Sequence, residues 1–377
     1  MTLSHSVGTE TVTNQELMDK VAKLVASLRA KATGSFTAFE DFISLPTSSF
    51  VPQDNLSVGG AKQVLVVGIG GSSLGAKAVC DVLKSAKLSP LYWIENVDRA
   101  HVDEVVALCK DPVVVVICKS GTTFETVRNL AYLTSATFKG LVRGDNTWVV
   151  AVEGNRIWDW GKSLGAKLFP MPAVVSGRFQ VFGAVAIVPL GLVGVDTTNY
   201  LAGARASLAD LMTPAKAAAV RYQLYQDGLV TDVYFAFDER LRSLAEWYAS
   251  ITAESLGKAL GGITPVVSMG SRDLHAFSQL YLQGRRDKVT TFVSLSDTDP
   301  TNLVILTAVK KAYADAGLPY SHIELDATST GQLTYDLGLF MQAKMTETVL
   351  LGGLMGVNPY DQPGVELYKK YLAADRL

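Results

Sequence analysis

Gln63-Val64-Leu65-Val66-Val67-Gly68-Ile69-Gly70-Gly71-Ser72-Ser73-Leu74-Gly75 is the stretch that decides the fold. A short apolar run ends in glycines, and a helical pattern, Ala76 to Ala86, follows at once. The order is strand, tight turn, helix. It recurs: Leu91 to Ile94, Val113 to Cys118 and Trp148 to Val152 are further short apolar runs, and Phe124 to Thr137 is another helical pattern. Buried strands separated by helices specify a parallel sheet covered on both faces, with ligands gathering at the carboxyl ends of the strands.

A second set of strands follows a helical stretch at Ala202 to Asp227: Val230 to Ala236, Val266 to Met269, Val289 to Leu295 and His322 to Leu325. The fold expected is therefore α/β with two domains, alike in architecture and without a visible sequence repeat. At the start, Leu17, Val21, Leu24, Val25 and Leu28 recur at helical spacing over Asn14 to Ala32, with Thr13 and Glu16 as a capping box. Residues 34–60 read as a linker or wrapping segment. The division expected is a helical segment at 1–45, domains at 46–200 and 201–358, and a closing helix at 359–377.

The chain has 377 residues, 48% hydrophobic and 19% charged, enough apolar surface for two cores. A net charge of −2 without a basic stripe excludes nucleic acid as a partner. Cys80, Cys109 and Cys118 lack CxxC spacing, which argues against disulfides and zinc and for a reducing compartment. Met1 to Ser6 shows no signal-peptide pattern, and the longest apolar run, Val181 to Val195, is shorter than the roughly 20 residues that span a bilayer. Buried core and a cytoplasmic location are the expectations.

The glycine loop opens a helix, so its amides and the helix dipole suit an anion; a tight turn with no ligand is the plainer alternative. A dinucleotide fingerprint needs Gly where Ser73 stands, although Glu95 imitates the ribose-binding acid. Cys118-Lys119-Ser120-Gly121-Thr122-Thr123 repeats the logic at the next strand end, where Ser and Thr could also be simple N-caps. Two such loops on consecutive half-units favour a phosphate monoester.

With these loops stand Ser176-Gly177-Arg178-Phe179, Glu254-Ser255-Leu256-Gly257-Lys258, Asp273-Leu274-His275 and Asn358-Pro359-Tyr360-Asp361-Gln362-Pro363-Gly364-Val365-Glu366-Leu367-Tyr368-Lys369. In this order, from about Val64 to Lys370, they resemble the glucose-6-phosphate isomerase family, in its short bacterial form, built from two sugar isomerase domains. The resemblance implies aldose-ketose isomerisation of a hexose 6-phosphate, in glycolysis and gluconeogenesis, with no cofactor or metal and in a homodimer.

It implies roles as well. Glu254 is the base that moves the proton between C2 and C1, Arg178 stabilises the enediolate, and His275, from the neighbouring subunit, and Lys369 open the ring. Gly70, Gly71, Ser72, Lys119, Ser120, Thr122, Thr123 and Gln362 bind substrate or phosphate. Read from its neighbours alone, Glu254 is a helix surface residue paired with Lys258, and Glu246 competes with it. Ser176, Gln180 and Cys118 depart from the family pattern. Additional use of mannose 6-phosphate, a non-catalytic sugar-phosphate sensor and a nicotinamide dehydrogenase stay open at this level.

Overall fold

The computed structural model describes residues 1–5, 14–52, 56, 63–84 and 86–374. Its strands are β1 (Thr2–His5), β2 (Val64–Val67), β3 (Leu91–Ile94), β4 (Val113–Cys118), β5 (Thr147–Ala151), β6 (Lys167–Pro170), β7 (Thr231–Ala236), β8 (Thr264–Met269), β9 (Lys288–Leu295) and β10 (Tyr320–Leu325). They form two five-stranded sheets flanked by helices, so the class is α/β. Two compact units divide the chain. One comprises Ala32–Cys80, Lys84–Thr197 and Lys369–Leu377, and is called here the glycine-loop unit. The other, the Glu254 unit, comprises Met1–Lys31, Asp81–Leu83 and Thr198–Tyr368.

The sheet of the glycine-loop unit runs β3-β2-β4-β5-β6 and is parallel throughout. β2 and β4 are buried at every position because both faces are covered, which explains their unbroken apolar runs. Each fully buried valine contributes about 2 kcal/mol before the cost of ordering the chain. Val181 to Val195 is core as expected, as the helix Ala184–Val193. Of the expected wrapping segment, residues 53–55 and 57–60 lie outside the described residues; in its first part, buried Asp41 accepts from the amides of Gly34 (2.7 Å), Thr37 (3.0 Å) and Ala38 (3.2 Å). These bonds hold the 3-10 helix Phe39–Thr47, whose Phe42 packs on Phe179 with ring centres 5.2 Å apart.

In the Glu254 unit the order is β1-β10-β9-β7-β8, parallel except for β1, which lies antiparallel on β10. The leading helix spans Gln15–Lys31 and buries Leu17, Val21, Val25 and Leu28; Thr13 of its expected capping box lies outside the described residues. The helical stretch after residue 200 is two helices, Thr197–Ala209 and Met212–Gln226. Asp210 breaks it by accepting from the Met212 amide (2.9 Å) and the Thr213 hydroxyl (2.6 Å), and Pro214 suits the new first turn. Among the described residues no helix is long and apolar enough to cross a membrane.

Candidate active site

In the glycine-loop unit, β2 delivers its chain into a 3-10 turn, Gly70–Ser72, and then the helix Leu74–Val82. Gly70 takes φ +62°, a left-handed conformation that glycine adopts without strain. Gly71 is glycine for another reason. A Cβ built there would lie 2.5 Å from the Gly177 carbonyl carbon and 2.6 Å from the Arg178 nitrogen, so the Ser176–Phe179 turn is pressed onto the loop. Arg178, far along the chain, thereby joins Gly70, Gly71 and Ser72 at the carboxyl end of the sheet.

Arg178 is buried, its guanidinium carbon 5.2 Å from the centre of the Phe179 ring. The departure at Gln180 has a visible use: its fully buried amide donates to the carbonyls of Pro172 (3.0 Å) and Val175 (2.7 Å), pinning the turn that leads to Arg178. Lys119, at the end of β4, shares the neighbourhood. Burial, and then the Arg178 charge, lower its ammonium to about 8. Two cations held close in a partly dry place lower their mutual repulsion when an anion sits between them.

The hydroxyls beside Lys119 converge on one another. Ser120 Oγ lies 3.2 Å from Thr123 Oγ1, and it accepts from the Thr122 amide (3.1 Å) and hydroxyl (3.3 Å). Thr123 occupies the N-cap position of the helix Phe124–Leu133, yet its side chain makes no cap bond. Its hydroxyl faces the loop instead. Cys118 is a buried free thiol at the strand end.

Glu95, the imitation of a ribose-binding acid, accepts from the Ser73 hydroxyl (2.6 Å) and pairs with Lys77 (2.8 Å). It ties β3 to the first turns of the glycine-loop helix. Sequence reasoning passed over this use of Ser73 and over Asn155, which caps the helix Arg156–Leu164 and also donates to the carbonyls of Cys118 (3.3 Å) and Lys119 (2.9 Å). A Gly-Asn pair just beyond a strand was the available signal for Asn155.

In the Glu254 unit, Glu254 is partly buried in the last turn of the helix Arg242–Leu256 and accepts from Ser250 Oγ (3.1 Å). Glu246 is exposed. The helix stops at Leu256, so Lys258 lies beyond it and not one helical turn above Glu254. Lys258 pairs with Asp361 (2.8 Å) and donates to the Asn358 carbonyl. Asn358 in turn donates to Asp361 (3.1 Å) and accepts from the Tyr360 amide (3.0 Å). Two motifs a hundred residues apart are thus one structure, and the turn they form leads through Gln362 into the helix Pro363–Ala374, which carries Lys369 on its exposed surface.

His275 opens the helix Leu274–Gln283 and is exposed. Asp273, beside it, accepts from Arg272 (2.7 and 2.9 Å) and from the Met269 amide (2.7 Å), and the Arg272 bonds first, then the amide, hold its carboxyl below the usual range. Only Tyr281 of that helix is buried, while Phe277 and Leu280 stand exposed.

The sequence profile of phosphoglucose isomerase matches residues 54–295. The chain belongs to the phosphoglucose isomerase family. A glucose-6-phosphate isomerase of Campylobacter jejuni is 32% identical over 351 residues, covering 82% of this chain and 84% of its own length. Among solved structures, a hypothetical protein of Thermus thermophilus superposes with a TM-score of 0.82 at 25% identity, each chain covered to 99%. A glucose-6-phosphate isomerase of Chlamydia trachomatis has the same fold, with a TM-score of 0.80 at 19% identity, covering 99% of this chain and 88% of that one. Membership of the phosphoglucose isomerase family makes the chain an isomerase of sugar-isomerase fold.

Proposed function

We propose that this isomerase interconverts glucose 6-phosphate and fructose 6-phosphate through an enediolate. The observation that carries the reading is the closeness of Lys119 and Arg178 at a strand end lined by converging hydroxyls, a receptor for a compact anion in a chain of this family. The phosphate is held by Lys119, Ser120, Thr122, Thr123 and Gln362, with the glycine-loop residues Gly70, Gly71 and Ser72 against the substrate.

After His275 and Lys369 have helped open the sugar ring, Glu254 takes the proton from C2. The electron pair left behind makes the C1 carbonyl oxygen an enediolate oxygen, which Arg178 stabilises without a proton transfer of its own. Glu254 returns the proton to C1 while the proton of the C2 hydroxyl passes to the C1 oxygen, so C2 becomes the carbonyl and C1 carries the new hydroxyl. One carbon of the sugar is oxidised as its neighbour is reduced, so the reaction calls for no redox cofactor, and Glu254 and Arg178 supply the base and the charge in this reading.

This reading includes a homodimer in which His275 comes from the neighbouring subunit, and the exposed Phe277 and Leu280 on the His275 helix support it. It also includes two sugar isomerase domains, 46–200 and 201–358, between the helical segments 1–45 and 359–377, and a cytoplasmic location. Glu254→Gln tests the chemistry: kcat should fall by about 10²–10⁴ with fructose 6-phosphate binding retained. The exposed Glu246, changed to Gln, should leave turnover within about twofold. Undiminished turnover in the Glu254 variant removes that residue from the mechanism.

A further inference from the structure

We infer that Asn155 is a positioning residue for the phosphate, acting through the backbone of Cys118 and Lys119; the inference rests on the reading of the Lys119–Thr123 loop as the phosphate site. β5 lies beside β4 with Ala151 opposite Cys118, so the two strands release their loops side by side. From the β5 loop, the Asn155 amide Nδ2 donates to the Lys119 carbonyl (2.9 Å) and the Cys118 carbonyl (3.3 Å). Its other end is fixed, because Oδ1 accepts from the Trp158 amide (2.9 Å) at the start of the helix Arg156–Leu164.

In a trans peptide the C=O and the following N–H point opposite ways. Turning the carbonyls of residues 118 and 119 toward Asn155 turns the amides of Lys119 and Ser120 away from it. Next in the chain, Gly121 is left-handed at φ +71°, and a Cβ on it would lie 2.9 Å from Asn155 Cγ. The loop therefore fits against the Asn155 side chain only with glycine at 121. Successive amides turned to one side and followed by a left-handed residue form the concave arrangement that holds anions. Asn155 imposes it from outside while touching no substrate.

Asn155 has a second duty as a helix cap, and the test separates the two. Asn155→Ser keeps a capping oxygen but is too short to reach the carbonyls. Asn155→Asp keeps shape and cap and loses both donors. For each, KM and kcat with fructose 6-phosphate, competitive inhibition by inorganic phosphate, thermal midpoint and amide hydrogen exchange over residues 119–123 are measured.

Loss of the two bonds should raise KM and the phosphate inhibition constant about tenfold and speed exchange across the loop, with kcat within about threefold and the midpoint nearly unchanged. An unchanged phosphate constant with unchanged exchange overturns the inference. So does a joint collapse of kcat, KM and thermal midpoint in both variants, which makes Asn155 merely structural, and so does wild-type protein that binds no phosphate. Wild-type protein that binds inorganic phosphate without isomerising hexose phosphates sinks the proposed function instead, and Asn155 is then judged by the phosphate and exchange readings.

Discussion

Gly71 and Arg178 meet backbone to backbone: the space where a Gly71 side chain would begin is taken by the Arg178 nitrogen, 2.6 Å from the Cβ position. Gly71→Ala must push the Ser176–Phe179 turn away, and the guanidinium with it. A displacement near 1 Å at a charge-stabilising group should lower kcat about 10²-fold. Stability should fall by about 1–3 kcal/mol, as for other overpacked sites. Turnover and urea unfolding on the same protein check both, and a Gly71→Ala enzyme with wild-type kcat would show that Arg178 is not held through this contact.

Lys119 makes the site sensitive to pH in a direction that can be worked out. Its ammonium sits lowered to about 8, chiefly by burial and then by Arg178. The protonated form binds phosphate, so KM should be level from about pH 7 to 8, where the phosphate is a dianion, and rise about tenfold per pH unit above pH 8. Lys119→Arg, whose charge persists, should flatten that rise at whatever KM it has.

The stability effect has the opposite sense. The folded value lies below the unfolded value of about 10.4, so the buried ammonium costs stability at pH 7, and the cost disappears as pH rises from about 8 to about 10.4. Lys119→Met should thus raise the thermal midpoint at pH 7 while weakening phosphate binding more than tenfold. A wild-type KM that stays level to pH 9.5 would remove Lys119 from phosphate binding.

What the sequence disclosed follows the physics of each element. β2 and β4 are apolar runs, and β5 and β7 end in them, because both faces of the sheet are covered, and such runs are visible without a partner. β6, Lys167-Leu168-Phe169-Pro170, is an edge strand: Lys167 is exposed with its ammonium 4.6 Å from the Trp148 ring centre, and Pro170 closes the strand. β1 is likewise an edge, paired with β10. β6 has no buried run to give it away. In the site, the hydroxyls and lysine of the Lys119–Thr123 loop could be read from spacing, because they lie on one turn. The seat of Arg178 on Gly71 and the brace from Asn155 depend on which loops the sheet sets side by side, whereas Lys258 read as a helical partner of Glu254 although Gly257, directly after Leu256, is the residue type that ends a helix.

Stability in the Glu254 unit rests on a reciprocal glycine crossing. A Cβ on Gly203 would lie 1.9 Å from the Tyr335 carbonyl oxygen, and one on Gly338 would lie 1.9 Å from the Tyr200 carbonyl oxygen. The helices Thr197–Ala209 and Thr330–Met355 therefore touch along their backbones, with no side chain to yield. Alanine at either position should cost at least about 3 kcal/mol, since backbone cannot repack as a side chain can. Urea unfolding of Gly203→Ala and Gly338→Ala measures it. A loss under about 1 kcal/mol would mean that the helices separate readily.

The proposed sharing of the site between subunits can be tested by complementation. If His275 serves the neighbouring subunit, Glu254→Gln and His275→Asn homodimers are each inactive for different reasons. Mixing unfolded chains in equal amounts and refolding gives heterodimers as about half of the dimers, each with one site that carries both lesions and one that carries neither. Activity should return to about a quarter of wild type under random pairing. If His275 serves the same subunit as Glu254, every site in the heterodimer has one lesion, and mixing restores nothing. The exposed Phe277 and Leu280 supply a control, because Leu280→Asp should shift the protein toward monomer and lower turnover together if that helix lies in the subunit contact. A fully dimeric, fully active Leu280→Asp enzyme would move the contact elsewhere on the surface and leave Glu254 as the base.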